Sequence, residues 1–497
     1  MINEISPKYV KLLFFSIGIS IITYGYSLLN FTITIDSDMP FAPDTSLHLG
    51  RWGTNLVRYH IFHGVIPYFT LLISLVLLSI SAVLLTKLFR LGSVESYAFC
   101  ALFLTFPQMP YQMYFSMQSD AVALGFALSA YAVILFEQSD WKEKRQMAII
   151  NYIAAALLIM FVIAIYQALV LIPVVIYLVV MFQNTYREDY LFTKQLKKAL
   201  VFALLMVVSA GLYAATLPVL CPQMGNGGYL ASYASGNADA LSRIIDAYNI
   251  LVDNIRGSYF YGEKTFLLAS LLALIILIAT FIKNKKIFLP RTMIMLLLFI
   301  TPFAMSFFIT NAYYHPPRIY VSMGIVFAFI ITRFLSAYTF TKISHAFLFF
   351  VVFLNIFFIT KMYVAHQQIH LHDCATLQKI DNRIRALYPD FDETEQYIYF
   401  YGKISDKELD PYRLPLSEMF ASSMMQWDEG NNYRIRSLAQ YCNVATYKLI
   451  DNKESYLKIK DSISDMPEWP KKGAIKRIEN VIIVKLGNTK GAPLWVE

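Results

Sequence analysis

The chain has 497 residues, of which 57% are hydrophobic and 15% charged, with a net charge of +8 and a mean hydropathy of +0.50. Apolar runs of about 20 residues recur along it, which excludes an ordinary soluble protein and describes a polytopic α-helical membrane protein. The basic excess lies mostly in short loops, so orientation in a membrane explains it better than nucleic-acid binding.

Eleven spans are read, near 11–31, 66–89, 95–109, 119–137, 148–165, 168–184, 199–220, 265–282, 292–310, 317–336 and 345–365. The first run is too long for the apolar region of a signal peptide, and no small-residue cleavage site follows it. The third is short and carries Pro107, with Pro110 just beyond, so it is read as broken or partly re-entrant. Basic clusters such as Lys142, Lys144 and Arg145, or Lys283, Lys285, Lys286 and Arg291, fall on alternate loops. By the positive-inside rule those loops and the N-terminus are cytoplasmic, and an odd number of spans puts the tail outside.

Four outward segments follow from that topology. Loop 32–65 contains Asp36-Ser37-Asp38, Asp44 and Gly50-Arg51-Trp52-Gly53; the second segment is the turn Tyr111–Ser119. Loop Cys221–Lys264 starts with Gly225, Gly227 and Gly228. Its stretch Leu241–Ile255 repeats Ile244, Ile245, Tyr248, Leu251 and Val252 at helical spacing, which suits a helix on the membrane surface. The fourth segment is the tail, 366–497, set apart from a membrane domain, 1–365. A helix runs on from the last span through Leu377, Ile380, Ile384 and Leu387. Strands are expected at Tyr397–Tyr401, Tyr447–Ile450 and Val481–Leu486, and helices at Tyr433–Gln440 and Ser455–Ile463. About 130 residues suffice for a small α/β domain. Cys374 and Cys442 both fall in it, and a disulfide between them is one option that sequence does not decide.

Several residues carry candidate chemistry. Asp36 and Asp38, if extended, point to one side with Ser37 on the other, and either suits a base that takes a proton from an attacking hydroxyl. The alternative is a solvated loop in which Asp38 or Asp44 caps a helix. Asn55 and Arg58 follow Arg51 at four and seven residues, so a helix would align all three. Arg51 and Arg318 each offer a planar fork for phosphate oxygens, against the plainer reading of arginines snorkelling at the interface. Gln118 and Asp120 open the fourth span, and Tyr166 and Gln167 occupy the outward turn between spans five and six. These four supply hydrogen-bonding groups, or serve as a helix cap and helix–helix glue. The eight histidines and four cysteines show no convincing ligand spacing, so no metal is assigned.

The acidic first loop followed by Gly50-Arg51-Trp52, the Tyr166-Gln167 turn, and Met466-Pro467-Glu468-Trp469-Pro470 before Val481–Leu486 together resemble the Gtr-type O-antigen glucosyltransferases. These are bacterial serotype-converting enzymes of the GT-C class. The resemblance implies a GT-C-like domain in the bacterial inner membrane and a periplasmic tail. It implies transfer of glucose from undecaprenyl-phosphate glucose to an O-antigen sugar of lipopolysaccharide, without a cofactor, alongside proteins that make and flip the donor. A catalytic acid in the first loop maps onto Asp36 or Asp38, with Arg51 and Arg318 on the donor phosphate. Asp44, Trp52, Gln118, Asp120, Tyr166 and Gln167 are the candidate substrate contacts. The tail would help to recognise the acceptor, a role open to the rings of Trp427, Tyr433 and Trp469, although core packing competes for each.

Two other functions compete. An O-antigen polymerase or ligase usually carries its large outward loop in mid-chain, whereas the larger outward mass here is the tail. A lipid-linked-sugar transporter or flippase predicts paired charges in the spans and internal symmetry, and the spans hold few charges and no two-fold pattern.

Overall fold

In lipid a backbone must close its own hydrogen bonds, and an apolar helix does so locally. The computed structural model describes residues 6–37, 44–139, 145–224, 240–307, 316–337, 341–450 and 453–488. Among them nine helices are long and apolar enough to cross a membrane: Pro7–Leu29, Phe69–Leu88, Ser119–Gln138, Arg145–Ile165, Gln167–Asn184, Phe192–Leu220, Lys264–Lys283, Lys285–Phe307 and Lys342–Leu387. Two shorter apolar helices, Ser93–Leu104 and Met323–Ala337, occupy the third and tenth runs.

Those two are short because they need not reach across lipid. Met323 to Thr332 are all buried, as are Ala98 to Leu104, and their phenylalanines pack on other rings. Phe89 meets both Phe99 and Phe329, with centroids 5.5 and 5.9 Å apart. The third run stops at Leu104, ahead of Pro107, and resumes as a single turn, Pro110–Met113, with proline at its first position. By contrast Phe192–Leu220 leaves Leu200, Leu204 and Val207 exposed, as a lipid-facing helix does. Ala240–Arg256 is helical where the amphipathic stretch was read, and Leu241, Ile244, Ile245 and Tyr248 are exposed on it. Gly225, Gly227 and Gly228 lie outside the described residues.

The chain divides into two units: Met1–Leu29 with Phe41–Thr360, and Asn30–Pro40 with Lys361–Glu497. The second unit therefore includes part of the first loop. Gln367 Nε2 donates to Asn30 Oδ1 at 3.1 Å, Tyr441 Oη donates to the Phe31 carbonyl at 3.2 Å, and Ile35 is wholly buried.

A four-stranded sheet organises this unit, with β1 Tyr397–Tyr401, β2 Lys448–Leu449, β3 Ile475–Ile478 and β4 Val481–Lys485. The order is β2-β1-β4-β3, with β1 parallel to β2 and β4, and β3 antiparallel to β4. Strand β3 is an element that sequence reading missed, because Ile475-Lys476-Arg477-Ile478 lacks a clear alternation. Helix Lys453–Ser464 buries Tyr456, Ile459 and Ile463, spaced along one stripe, in a core with Tyr399, Val481 and Ile483. Ile398, Phe400, Ile482 and Val484 are buried at the alternate strand positions. Cys374 and Cys442, 68 residues apart, are disulfide-bonded. Closing a loop of that length removes about 4 kcal/mol of unfolded-state entropy.

Strand β2 pairs with β1 only at Tyr397 and Ile398, so Phe400 has no strand partner on that side. Buried Asn432 replaces one: its Oδ1 accepts from Phe400 N at 2.7 Å, and its Nδ2 donates to Phe400 O at 2.8 Å. Asn432→Ala orphans both buried groups and should cost about 2–4 kcal/mol. A lower melting transition of the full chain, followed through Trp427 and Trp469 fluorescence, is the expected result; an unchanged one would refute the role.

Candidate active site

The segment Gly50-Arg51-Trp52-Gly53 is shaped by its glycines. Gly50 has φ +69°, and a Cβ there would lie 2.9 Å from Tyr213 Oη, which donates to the Gly50 carbonyl. A Cβ on Gly53 would lie 2.7 Å from the backbone N of Ile165, so the loop sits directly on the end of helix Arg145–Ile165. Thr54 Oγ1 ties it there, donating to Ile165 O at 2.7 Å, and Trp52 Nε1 donates to Thr216 Oγ1 at 2.9 Å.

Seated this way, Arg51 meets three of the other candidates. Its Nε and Nη1 point at Gln167 Oε1 and Gln118 Oε1, each at 3.4 Å, and its guanidinium lies 4.7 Å from the Tyr166 ring centroid. Gln167 is fixed in turn, with Nε2 donating to Leu49 O at 2.8 Å and to Tyr213 Oη at 3.0 Å. Neutral groups thus orient the plane of the arginine fork.

Arg318 reaches the same segment. Its guanidinium lies 4.8 Å from the Phe115 ring centroid, its carbonyl accepts from Gln112 Nε2, and the Pro317 carbonyl accepts from Gln108 Nε2 at 2.9 Å. Segment Gln108–Gln118 therefore contacts both candidate phosphate ligands. The side-chain oxygens of its buried amides, Gln108 Oε1 and Gln112 Oε1, accept no hydrogen bond.

Arg58 does not share a face with Arg51. The helix Trp52–Asn55 passes into a π turn, Leu56–Ile61, which rotates Arg58 into the interior. There Nη2 meets Asp120 Oδ1 at 2.6 Å and the Ser116 carbonyl at 2.7 Å, Nε donates to Met117 O at 3.1 Å, and Nη1 donates to Gly64 O at 2.8 Å. Asn55 turns to Ser46. Asp120 also accepts from Ala121 N at 2.7 Å, so its carboxylate serves a buried ion pair and the start of its helix.

Asp36 does not sit in an extended segment. Ser37 N donates to Thr34 O at 2.9 Å and Thr34 Oγ1 to Ser37 Oγ at 2.8 Å, closing a turn with Asp36 at φ +70°. Aspartate tolerates that left-handed conformation better than most residues. Asp36 Oδ1 lies 3.0 Å from Nη2 of buried Arg434, whose Nε also holds Asp428 at 2.7 Å; the Asp36 side chain is 40% exposed. Asp38 lies outside the described residues, and Asp44 opens the short helix Asp44–His48 with its side chain outside them too. Of the three tail rings, Trp427 lines a cleft. Trp469 and Tyr433 lie beside the guanidinium groups of Arg383 and Arg436.

A family model described as glucosyl transferase GtrII matches residues 25–333, more than half of the chain. The chain belongs to that family. The matched span holds every candidate from Asp36 to Arg318 and ends before the tail. Membership in the GtrII family makes this chain a glycosyltransferase, which acts on a sugar donor and an acceptor. No curated protein and no solved structure matches it.

Sequence reading missed two further ionisable groups of this family member. Arg434 carried no local signal, since its partners are distant in sequence. Glu263 is wholly buried, accepts from Tyr259 N and Phe260 N at 2.6 and 3.2 Å, and is pushed up to about 9 by burial. Among the described residues one group has metal-like geometry, His370, Cys374 and Cys442, but its two sulfurs are joined to each other.

Removing one partner of the buried ion pair leaves the other uncompensated. Asp120→Ala should destabilise the GtrII-family chain by about 3–5 kcal/mol, whereas the double variant Arg58→Met, Asp120→Leu should recover much of the loss. Thermal unfolding in detergent of wild type, Arg58→Met, Asp120→Leu and the double variant measures the cycle; additive losses would refute the coupling.

Proposed function

We propose that the chain transfers glucose from undecaprenyl-phosphate glucose to an O-antigen sugar at the periplasmic face of the bacterial inner membrane. Family membership supports glucosyl transfer, and the observation that carries the donor assignment is the approach of Arg51 and Arg318 to one turn, Gln108–Gln118. The Cys374–Cys442 disulfide supports an exported tail, since such bonds persist in oxidising compartments. Nine long apolar helices among the described residues, an odd number, support that orientation with the N-terminus in the cytoplasm.

In this reading an acceptor hydroxyl oxygen attacks the anomeric carbon while a first-loop aspartate, Asp36 in preference to Asp38, takes its proton. The bond from the anomeric carbon to the phosphate oxygen breaks, and its electron pair leaves with undecaprenyl phosphate. Arg51 and Arg318 stabilise the charge that grows on that phosphate. Gln118, Tyr166 and Gln167 orient Arg51, while Trp52 and Asp44 serve the sugar side. The tail recognises the acceptor.

The test is O-antigen glucosylation in cells that make the donor, read by mass spectrometry and NMR at matched expression. Asp36→Asn should cut transfer by about 10²–10⁴-fold, the range for losing a general base. Arg51→Gln should cut it by about 10–100-fold, the equivalent of one charge-assisted hydrogen bond. Undiminished glucosylation in Asp36→Asn, Asp38→Asn and the double variant would sink the assignment of the base.

A further inference from the structure

The second unit holds a cleft of about 370 Å³, within the range of small-ligand sites. Trp427 lines it, with Lys403, Asp406, Arg413, Glu418 and Gln426 among the other lining side chains.

Its polar groups are already organised. Arg413 Nη1 donates to Asp406 Oδ1 at 2.8 Å, and Arg413 also donates to Gln426 Oε1. Gln426 Nε2 donates to the Ile404 carbonyl at 2.7 Å and lies 3.3 Å from Asp406 Oδ1. Buried Asp373 holds the floor, accepting from Ser423 Oγ at 2.8 Å and from Met424 N at 2.9 Å. Five residues of the surrounding segment that are not glycine, Leu416, Glu418, Ala421, Asp428 and Glu429, have φ between +49° and +59°. A folded chain keeps that much left-handed backbone only where its surroundings over-determine it, and such strain collects at ligand clamps.

The lining also selects a chemistry. Two cations, Lys403 and Arg413, face two anions, Asp406 and Glu418, so no net charge favours a phosphate or a carboxylate. The apolar lining is too interrupted by polar groups to suit an acyl chain. A planar guanidinium, carboxylate and amide beside an indole match a ring with hydroxyls at its edge and C–H groups on its face.

We propose that this cleft binds a neutral pyranose ring of a glycan, with Trp427 against the ring face and Arg413, Asp406 and Gln426 on its hydroxyls. Calling that glycan the acceptor rests on the transfer reaction proposed above; the binding does not.

The experiment uses the full chain in detergent micelles, without donor. The probe is lipid-free O-polysaccharide released from lipopolysaccharide of the strain that carries the chain, followed by saturation-transfer NMR and tryptophan fluorescence. Wild type should bind it. Trp427→Ala should weaken binding at least tenfold, as should Arg413→Gln combined with Asp406→Asn, while Trp427→Phe stays within about threefold. The double variant changes exposed side chains, so it tests the cleft even if Trp427→Ala fails to fold. No saturation transfer to wild type, or undiminished binding by a double variant that melts normally, would overturn the proposal. Glucosylation that survives loss of both first-loop aspartates would sink the reaction and leave this binding result standing.

Discussion

The Arg58–Asp120 ion pair is the constraint on which the candidate donor site depends. Two charges withdrawn from water cost several kcal/mol each unless their remaining hydrogen-bonding capacity is met. Arg58 meets it with the carbonyls of Gly64, Ser116 and Met117. The pair thereby fastens the first loop to the turn that ends at Gln118, and Gln118 is what Arg51 reaches. Net stabilisation from such a pair is small, but its geometry is narrow. Its worth lies in where it puts Arg51.

The first loop divides its work between the two units. Residues 30–37 belong with the tail, through Gln367, Tyr441 and Arg434, while residues 44–58 pack on helices of the membrane unit. Asp36 is thus positioned by the tail. Changes around Arg434 are then expected to act on the aspartate as well as on the tail's own fold.

Hydropathy made most of the fold legible. The long helices, the amphipathic helix Ala240–Arg256 and strands β1, β2 and β4 each announce themselves through a local period. The cluster of Arg51, Gln118, Tyr166 and Gln167 was legible in part, because the topology expected from the charge pattern put all four on one side of a membrane. What no window could show was pairing at long range: Arg58 with Asp120, Arg434 with Asp36, Asn432 with Phe400. A single polar residue in an ordinary helix looks the same whether its partner lies 400 residues away or is water. The turn at Thr34–Ser37 failed for a related reason. Alternating acids suggest an extended chain, but Thr34 and Ser37 offered the backbone a competing set of hydrogen bonds.

The break in the third apolar run ties these points together. Stopping a helix inside an apolar bundle frees carbonyls that lipid cannot satisfy, so irregular backbone persists only where protein or a water-filled cavity supplies partners. Here Arg58 does so for the carbonyls of Ser116 and Met117, while Gln108 and Gln112 do the same for the carbonyls of Pro317 and Arg318 in the segment they pack against. The chain commits two buried glutamines and an arginine to the irregular segments around the turn Pro110–Met113, and each glutamine still has an acceptor oxygen without a protein partner. That investment is hard to explain as packing alone, because apolar residues would fill the same space without desolvating an amide. It is explained if the irregular turn is what lets Arg51 and Arg318 approach one phosphate.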